Sequence, residues 1–255
     1  MSPSPQPRVA WITGASTGIG RALARRLAAM GWTVAASARS AGDLASLAAE
    51  ASGRIVPFVL DVTDETACVA TVEAIEAALC PISRAVLNAG SYFPTTAEDF
   101  SVDNFRRTVD LNLMGAVNCM GPLAPRMVAR RSGQIALMGS QTAYVGLPTA
   151  ASYGATKAAL LSIAEAFKVD FERFGVDIRI INPGFVKTPL TDKNDFPMPF
   201  LVPVDKAIDV IVRGLDGHRF NIGFPWQIVA LIRCLAALPY PLKFAITRRM
   251  IPEKK

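Results

Sequence analysis

Six short runs rich in β-branched and other apolar residues recur along the chain, separated by longer Ala- and Leu-rich segments with charges at helical spacing. The runs are RVAWIT (8–13), TVAASA (33–38), RIVPFVL (54–60), RAVLN (84–88), GQIALMG (133–139) and VDIRIIN (176–182). The segments between and after them predict helices at 18–30, 41–51, 64–79, 101–130 and 152–174. Strands that alternate with helices in this way form a parallel sheet with helices on both faces. Several of the runs are too continuously apolar to leave one sheet face wet, as a parallel sheet requires. There is no internal repeat and no long linker, so the predicted fold class is α/β, one doubly wound parallel sheet. A loose Pro-rich arm (1–7) precedes the domain (8–223), and a helical C-terminal extension (224–255) packs on it.

A chain of 255 residues can bury a large single core. Cys68, Cys80, Cys119 and Cys234 are far apart and form no C-x-x-C pair, which suggests neither a disulfide framework nor a metal site and fits a reducing cytoplasm. His218 is the only histidine, so mechanisms needing a histidine base or two histidine ligands are excluded; in the turn DGHRF it is expected to be solvated and without a role. The start, MSPSPQPR, has no apolar core of a signal peptide. The net charge of +6 is not laid out as a basic stripe with interleaved aromatics, so nucleic acid is not an expected partner. Much of the excess lies at the end, in Lys243, Arg248, Arg249, Lys254 and Lys255.

Two local patterns carry chemistry. The first strand runs into TGASTGIG (13–20) and then RALARRLAAMG. Glycines at 14, 18 and 20 allow a tight turn, a close approach to a pyrophosphate and close packing of the new helix, whose first amides face an anion. Further on, Tyr153 and Lys157 lie at i and i+4 and project from one helical face. Taken alone, that pair reads as an ordinary surface contact.

The G-x-x-x-G-x-G spacing, with LNAG (87–90), Ser140, YGATK (153–157) and NPG (182–184) in order, resembles the short-chain dehydrogenase/reductase family over residues 8 to 190. The resemblance implies a Rossmann-like fold that binds a dinucleotide through Gly14, Ser16, Thr17, Gly18, Ile19, Gly20, Val62, Ala89, Gly90, Pro183, Gly184 and Val186. It implies adenine contact by Asp61, adenosine ribose contact by Asn88 and nicotinamide carboxamide contact by Thr188. A turn acid or helix N-cap is an equally good local reading of Asp61. At the end of the second strand, NAD-binding relatives carry Asp where this chain has Ala38, followed by Arg39. An arginine there pairs with a 2′-phosphate, so NADP(H) is favoured over NAD(H), although Asp43 lies near and Arg39 can also be a plain loop cation.

A free tyrosine titrates at about 10, too high for a neutral-pH proton shuttle. Lowering it by about three units takes about 4 kcal/mol, which the Lys157 ammonium and an oxidised nicotinamide can supply in a dry cleft. Resemblance to the family makes Tyr153 the general acid/base and has Lys157 lower its pKa and bond the nicotinamide ribose. It has Ser140 share the charge on the substrate oxygen, and Asn112 support a water leading to Lys157.

The expected reaction interconverts a carbonyl and an alcohol. The loop 185–203, with Phe185, Leu190, Phe196, Met198, Phe200 and Leu201, and the pair Tyr92 and Phe93 point to a rather apolar small-molecule substrate, although loop hydrophobes can equally pack down on the core. Pro239, Pro241 and Arg233 interrupt the C-terminal apolar stretch, which predicts two short amphipathic helices and no transmembrane span. Such a segment suits peripheral contact with a membrane and an enzyme acting on lipid-like ketones, and it can equally bury its apolar face against the substrate loop or a second subunit. The family's habit implies a homodimer or homotetramer, and the expected location is the cytoplasm. Rival readings are a silent dinucleotide-binding sensor or scaffold, and an epimerase or dehydratase of the same family.

Overall fold

A computed structural model describes residues 8–193 and 197–251 of the chain. The arm 1–7, Asp195, Phe196, Lys254 and Lys255 lie outside the described residues. Seven strands, β1 (Val9–Thr13), β2 (Thr33–Ala38), β3 (Ile55–Val59), β4 (Ile82–Leu87), β5 (Gly133–Met138), β6 (Val176–Pro183) and β7 (Asn221–Phe224), form one sheet in the order β3-β2-β1-β4-β5-β6-β7. Every neighbouring pair is parallel. All five residues of β1 are buried, as a central strand covered on both faces requires. Strand β3 sits at the edge, buries only Ile55 fully and carries Pro57, which an edge tolerates because one side of its ladder is unpaired.

Helices α1 (Gly18–Ala29), α2 (Ala41–Ala49) and α7 (Val204–Asp216) cover one face through Leu23, Leu27, Leu44, Leu47, Ile208 and Ile211. On the other face, α3 (Glu65–Ala78), α5 (Gly115–Ala129) and α6 (Ala151–Glu172) pack through Val72, Ile75, Leu123, Met127, Leu160 and Ala164. The predicted helix 101–130 is α4 (Val102–Val109) and α5 joined by a π-helical turn, Asp110–Met114, in which Asn112 is buried. Widened turns of this kind often mark functional positions. Two short C-terminal helices, α8 (Trp226–Ala237) and α9 (Tyr240–Thr247), follow the sheet.

The six sequence runs correspond to β1 through β6, but β7 and α7 were not among the predicted elements. Strand β7 is four residues, NIGF, too short and glycine-broken to show a period. It exists because Ile180 through Pro183 of β6 offer it a hydrogen-bonding edge.

Strands β1 and β2 are also joined side chain to side chain. The Trp11 indole Nε1 donates to Ser37 Oγ at 2.9 Å, with both residues fully buried. A buried donor left unpaired costs about 1–3 kcal/mol. Ser37→Ala is therefore expected to lower stability by about that amount, read as a lower urea midpoint with an unchanged slope; an unchanged midpoint would show that this bond contributes nothing.

Candidate active site

The strand order reverses between β1 and β4, and the loops leaving these strands diverge to open a crevice at their carboxyl ends. Thr13, the last residue of β1, holds the two loops together: its Oγ1 accepts from Asn88 N at 3.0 Å and Ala89 N at 3.1 Å. Asn88 returns the contact, its Nδ2 donating to Thr13 O at 3.0 Å and Gly14 O at 3.2 Å. The glycines are what permit this approach. A Cβ on Gly20 would stand 2.2 Å from Gly14 O, and one on Gly14, which also has φ +66°, would stand 2.8 Å from Ala89 Cα.

A cleft of about 1920 Å³ occupies the crevice. Gly14, Ser16, Thr17, Gly18 and Ile19 line one part of it, and Gly20 sits behind, packed on Gly14. The side chains of Ser40, Asp64 and Ser101 cap α2, α3 and α4, whereas Thr17 makes no such bond to α1. The first amides of α1 thus keep their donors for an anion, as a dinucleotide phosphate site needs.

Ala38, Arg39, Asp61 and Val62 line the adjoining part of the cleft. Asp61 Oδ1 accepts from Thr63 N at 3.0 Å and Thr63 Oγ1 at 2.8 Å. These bonds, the backbone one foremost, and the Arg39 charge hold its carboxyl below the ordinary range. Asp61 is therefore a turn acid and a cleft residue at once. Arg39 is exposed, and among the described residues neither it nor Asp43 enters an ion pair; Asp43 instead gives its backbone oxygen to Arg21 at 3.1 Å.

Asn88, Ala89 and Gly90 line the floor, and Pro183, Gly184, Val186 and Thr188 the wall beyond β6. A Cβ on Gly18 would reach within 3.5 Å of the Thr188 side chain, so the glycine loop and the post-β6 segment face each other closely.

Ser140, Tyr153 and Lys157 meet in the same cleft, where Ser140 Oγ also accepts from Thr142 N at 3.2 Å. Lys157 Nζ donates to Met138 O at 2.7 Å and lies 5.4 Å from the centroid of the Tyr153 ring. Asn112 does not line the cleft. Its amide is locked on the backbone of Ser91, Oδ1 accepting from Ser91 N and Nδ2 donating to Ser91 O, both at 2.8 Å.

Burial dominates the electrostatics. It pushes the Tyr153 phenol above its ordinary value, with the nearby Ser140 hydroxyl pulling down and Tyr92 pushing up. Burial also lowers Lys157 to about 8. The protein's own groups therefore do not produce the depressed tyrosine expected from sequence. The remaining lever is a positive charge brought next to the phenol, as an oxidised nicotinamide would be.

Several residues support the site in ways that no sequence motif assigned to them. Asn182 Oδ1 accepts from Ser140 N at 2.9 Å, and its Nδ2 donates to Tyr144 Oη at 3.0 Å and Asn221 Oδ1 at 3.1 Å. Gln141 Nε2 donates to Asn182 O at 2.6 Å. Asn182 stood in the NPG motif without an assigned task; its place behind Ser140 depends on the β5–β6 register. Tyr92 packs edge-on against Tyr153, with ring centroids 5.5 Å apart and planes at 81°. Of the apolar loop residues, Phe185 and Leu190 line the cleft while Met198, Phe200 and Leu201 do not; Ile228, Leu231 and Ile232 of α8 complete that side.

A dinucleotide cradle at the switch point, beside a serine, tyrosine and lysine in one cleft, defines an α/β oxidoreductase of the nucleotide-binding kind. The short chain dehydrogenase family model matches residues 8–197, and the chain belongs to that family. It is an enzyme of the class that interconverts CH–OH and C=O with NAD(P) as hydride carrier. It is 36% identical over 246 residues to an uncharacterized oxidoreductase of Myxococcus xanthus, covering 95% of this chain and 97% of that one. A short-chain dehydrogenase structure from Streptomyces avermitilis superposes with a TM-score of 0.84 at 25% identity, covering 96% of this chain and 98% of the other. One from Burkholderia cenocepacia, in complex with NADP, gives 0.82 at 24% identity, covering 97% and 99%.

The buried lysine has a consequence for stability. Folding lowers its pKa from 10.5 to about 8, so below about pH 8 the folded chain carries a buried charge at full cost, and the cost fades as pH rises toward 10.5. Relative to Lys157→Met, the wild type is expected to gain about 2 kcal/mol in unfolding free energy between about pH 7 and pH 9.5. Urea titrations of both proteins at the two pH values measure this; a pH-independent difference would mean that Lys157 is not desolvated.

Proposed function

We propose that the protein is an NADP(H)-dependent oxidoreductase that interconverts a ketone or aldehyde and the alcohol on a rather apolar substrate, with Tyr153 as general acid/base. The observation that carries this reading is the convergence of Ser140, Tyr153 and Lys157 on a cleft whose other end is the uncapped glycine turn. The residues present fit a dinucleotide: the first amides of α1 for phosphate, Asp61 and Val62 for the adenine end, and Thr188 for the carboxamide. Bound there, NADPH supplies the hydride.

The chain's own work is positioning and proton transfer. Tyr153 is protonated and so has a proton to give to a carbonyl oxygen as negative charge develops there; burial makes the phenol a weaker acid, an effect that the positive nicotinamide left by hydride transfer would offset. Ser140, its backbone fixed by Asn182, offers the same oxygen a second donor. Lys157, buried and tied to Met138 O, stands ready to stabilise the phenolate left behind. Asn112 acts at one remove by holding Ser91, whose segment forms the cleft floor.

The NADP(H) preference rests on Ala38 and Arg39 at the end of β2, where an acid would repel a 2′-phosphate and the exposed guanidinium can pair with it. The NADP held by the Burkholderia relative agrees with it. An apolar substrate is supported by Leu147, Phe185, Leu190, Ile228 and Ile232 around the far half of the cleft. We further propose a cytoplasmic homodimer or homotetramer. Stoichiometric consumption of NADPH separates net reduction from epimerisation or dehydration through a transient ketone.

Two measurements test the reading. Tyr153→Phe is expected to reduce turnover of hydrophobic ketones by at least about a hundredfold while leaving the NADPH dissociation constant nearly unchanged; wild-type turnover would remove Tyr153 from the mechanism. In fluorescence titrations, Arg39→Ala is expected to weaken NADPH binding roughly tenfold and leave NADH unaffected. Equal loss for both cofactors would reverse the assignment of Arg39.

A further inference from the structure

Helix α9 is largely apolar and almost wholly uncovered. Its sequence is YPLKFAIT, yet Thr247 is the only residue that it buries. Tyr240 is 68% exposed and Phe244 55%, with Leu242 and Ile246 also exposed. Trp226, 75% exposed at the start of α8, and Met250 and Ile251 beyond α9 are exposed apolar residues of the same C-terminal segment. An apolar, aromatic-rich surface left open on this scale marks an interaction site.

Its charge is one-sided. Arg233, Lys243, Arg248 and Arg249 lie in this segment, and no Asp or Glu occurs between Asp216 and Glu253. Lys243 reaches back to Ala236 O at 2.9 Å, whereas Arg233, Arg248 and Arg249 are exposed. A twofold self-association would mate this patch with itself and set these cations against their own copies with no acid of the segment to offset them. Anionic lipid supplies the missing charge. Exposed Trp and Tyr beside Lys and Arg are also the side chains that settle at a membrane interface. Among the described residues no helix is long and apolar enough to cross a membrane, so the segment would lie on the surface.

The patch is also part of the cleft. Leu231, Met250 and Ile251 are exposed and line the cleft at the same time, so they rim its substrate end. We propose that α8, α9 and the following Arg248–Ile251 turn dock on a membrane surface bearing anionic lipid and hold the substrate end of the cleft against it. The substrate class is then a lipid-like carbonyl or alcohol drawn from the bilayer; this second statement rests on the carbonyl–alcohol reading above, while the docking does not.

Sedimentation of the full-length protein with vesicles of phosphatidylcholine, with and without phosphatidylglycerol, tests the docking. Trp226 reports on the contact, since Trp11 and Trp32 are buried. Binding is expected only with phosphatidylglycerol, with a blue shift of Trp226 emission and release at high salt. Arg233→Gln/Arg248→Gln is expected to weaken it by about fivefold per charge. Tyr240→Ser/Phe244→Ser is expected to abolish it; neither pair lines the cleft, so NADPH affinity should be unchanged. No binding, equal binding to both vesicles, or an unshifted Trp226 would overturn the proposal. So would vesicle-indifferent dimers that dissociate in Tyr240→Ser/Phe244→Ser, because a second copy would then cover the patch. Turnover of a short water-soluble ketone, measured alongside, fails only if the carbonyl–alcohol reading fails.

Discussion

The tie between the loops leaving β1 and β4 is the contact on which the site depends. Thr13 Oγ1 accepts two backbone amides from Asn88 and Ala89, and Asn88 returns two bonds to the backbone at Thr13 and Gly14. Four hydrogen bonds across a strand reversal make two diverging loops into one wall. The absence of side chains at Gly14 and Gly20 is a precondition, because a Cβ at either would collide with backbone atoms. The amides at the start of α1 are thereby held at a set distance from the post-β6 segment that carries Thr188, which is the kind of preorganisation a dinucleotide site needs.

The catalytic half is built on a different economy, that of burial. Lys157 and Tyr153 are both disfavoured in their charged forms by the protein around them, and neither rescues the other in this structure. Desolvated groups respond strongly to any charge placed beside them, because the dielectric that would screen it has been removed. A cationic nicotinamide would shift this pair far more than it would an exposed one. The supporting network of Asn182, Tyr144, Asn221 and Gln141 keeps the serine in place without adding charge. Strand β7 brings Asn221 into this network, so an element invisible in the sequence stands two hydrogen bonds from Ser140.

Most of the sheet was legible because buried parallel strands are rich in apolar residues, and β1 to β6 carry such runs even where Arg84, Gln134, Asp177 and Arg179 interrupt them. The short β7 was not, since four residues with a glycine carry no period and the strand forms only on the edge of β6. The site residues named from motifs gather around one cleft apart from Gly20 and Asn112, which lie behind it. Spacing could bring Tyr153 and Lys157 to one helical face, but it could not say that Met138 O would hold the lysine or that burial would outweigh the lysine in setting the phenol.

The sequence by itself determined the strand–helix alternation, the glycine turn and the Tyr–Lys face, because each follows from local sterics or helical period. It also determined that the C-terminal segment is basic and carries no acid before Glu253. Tertiary structure alone decided which polar groups support Ser140, which side of α9 stays uncovered, and the direction in which Tyr153 and Lys157 titrate. Those outcomes depend on which residues distant in the chain become neighbours and on how much water they exclude, and neither is encoded in any short stretch of residues.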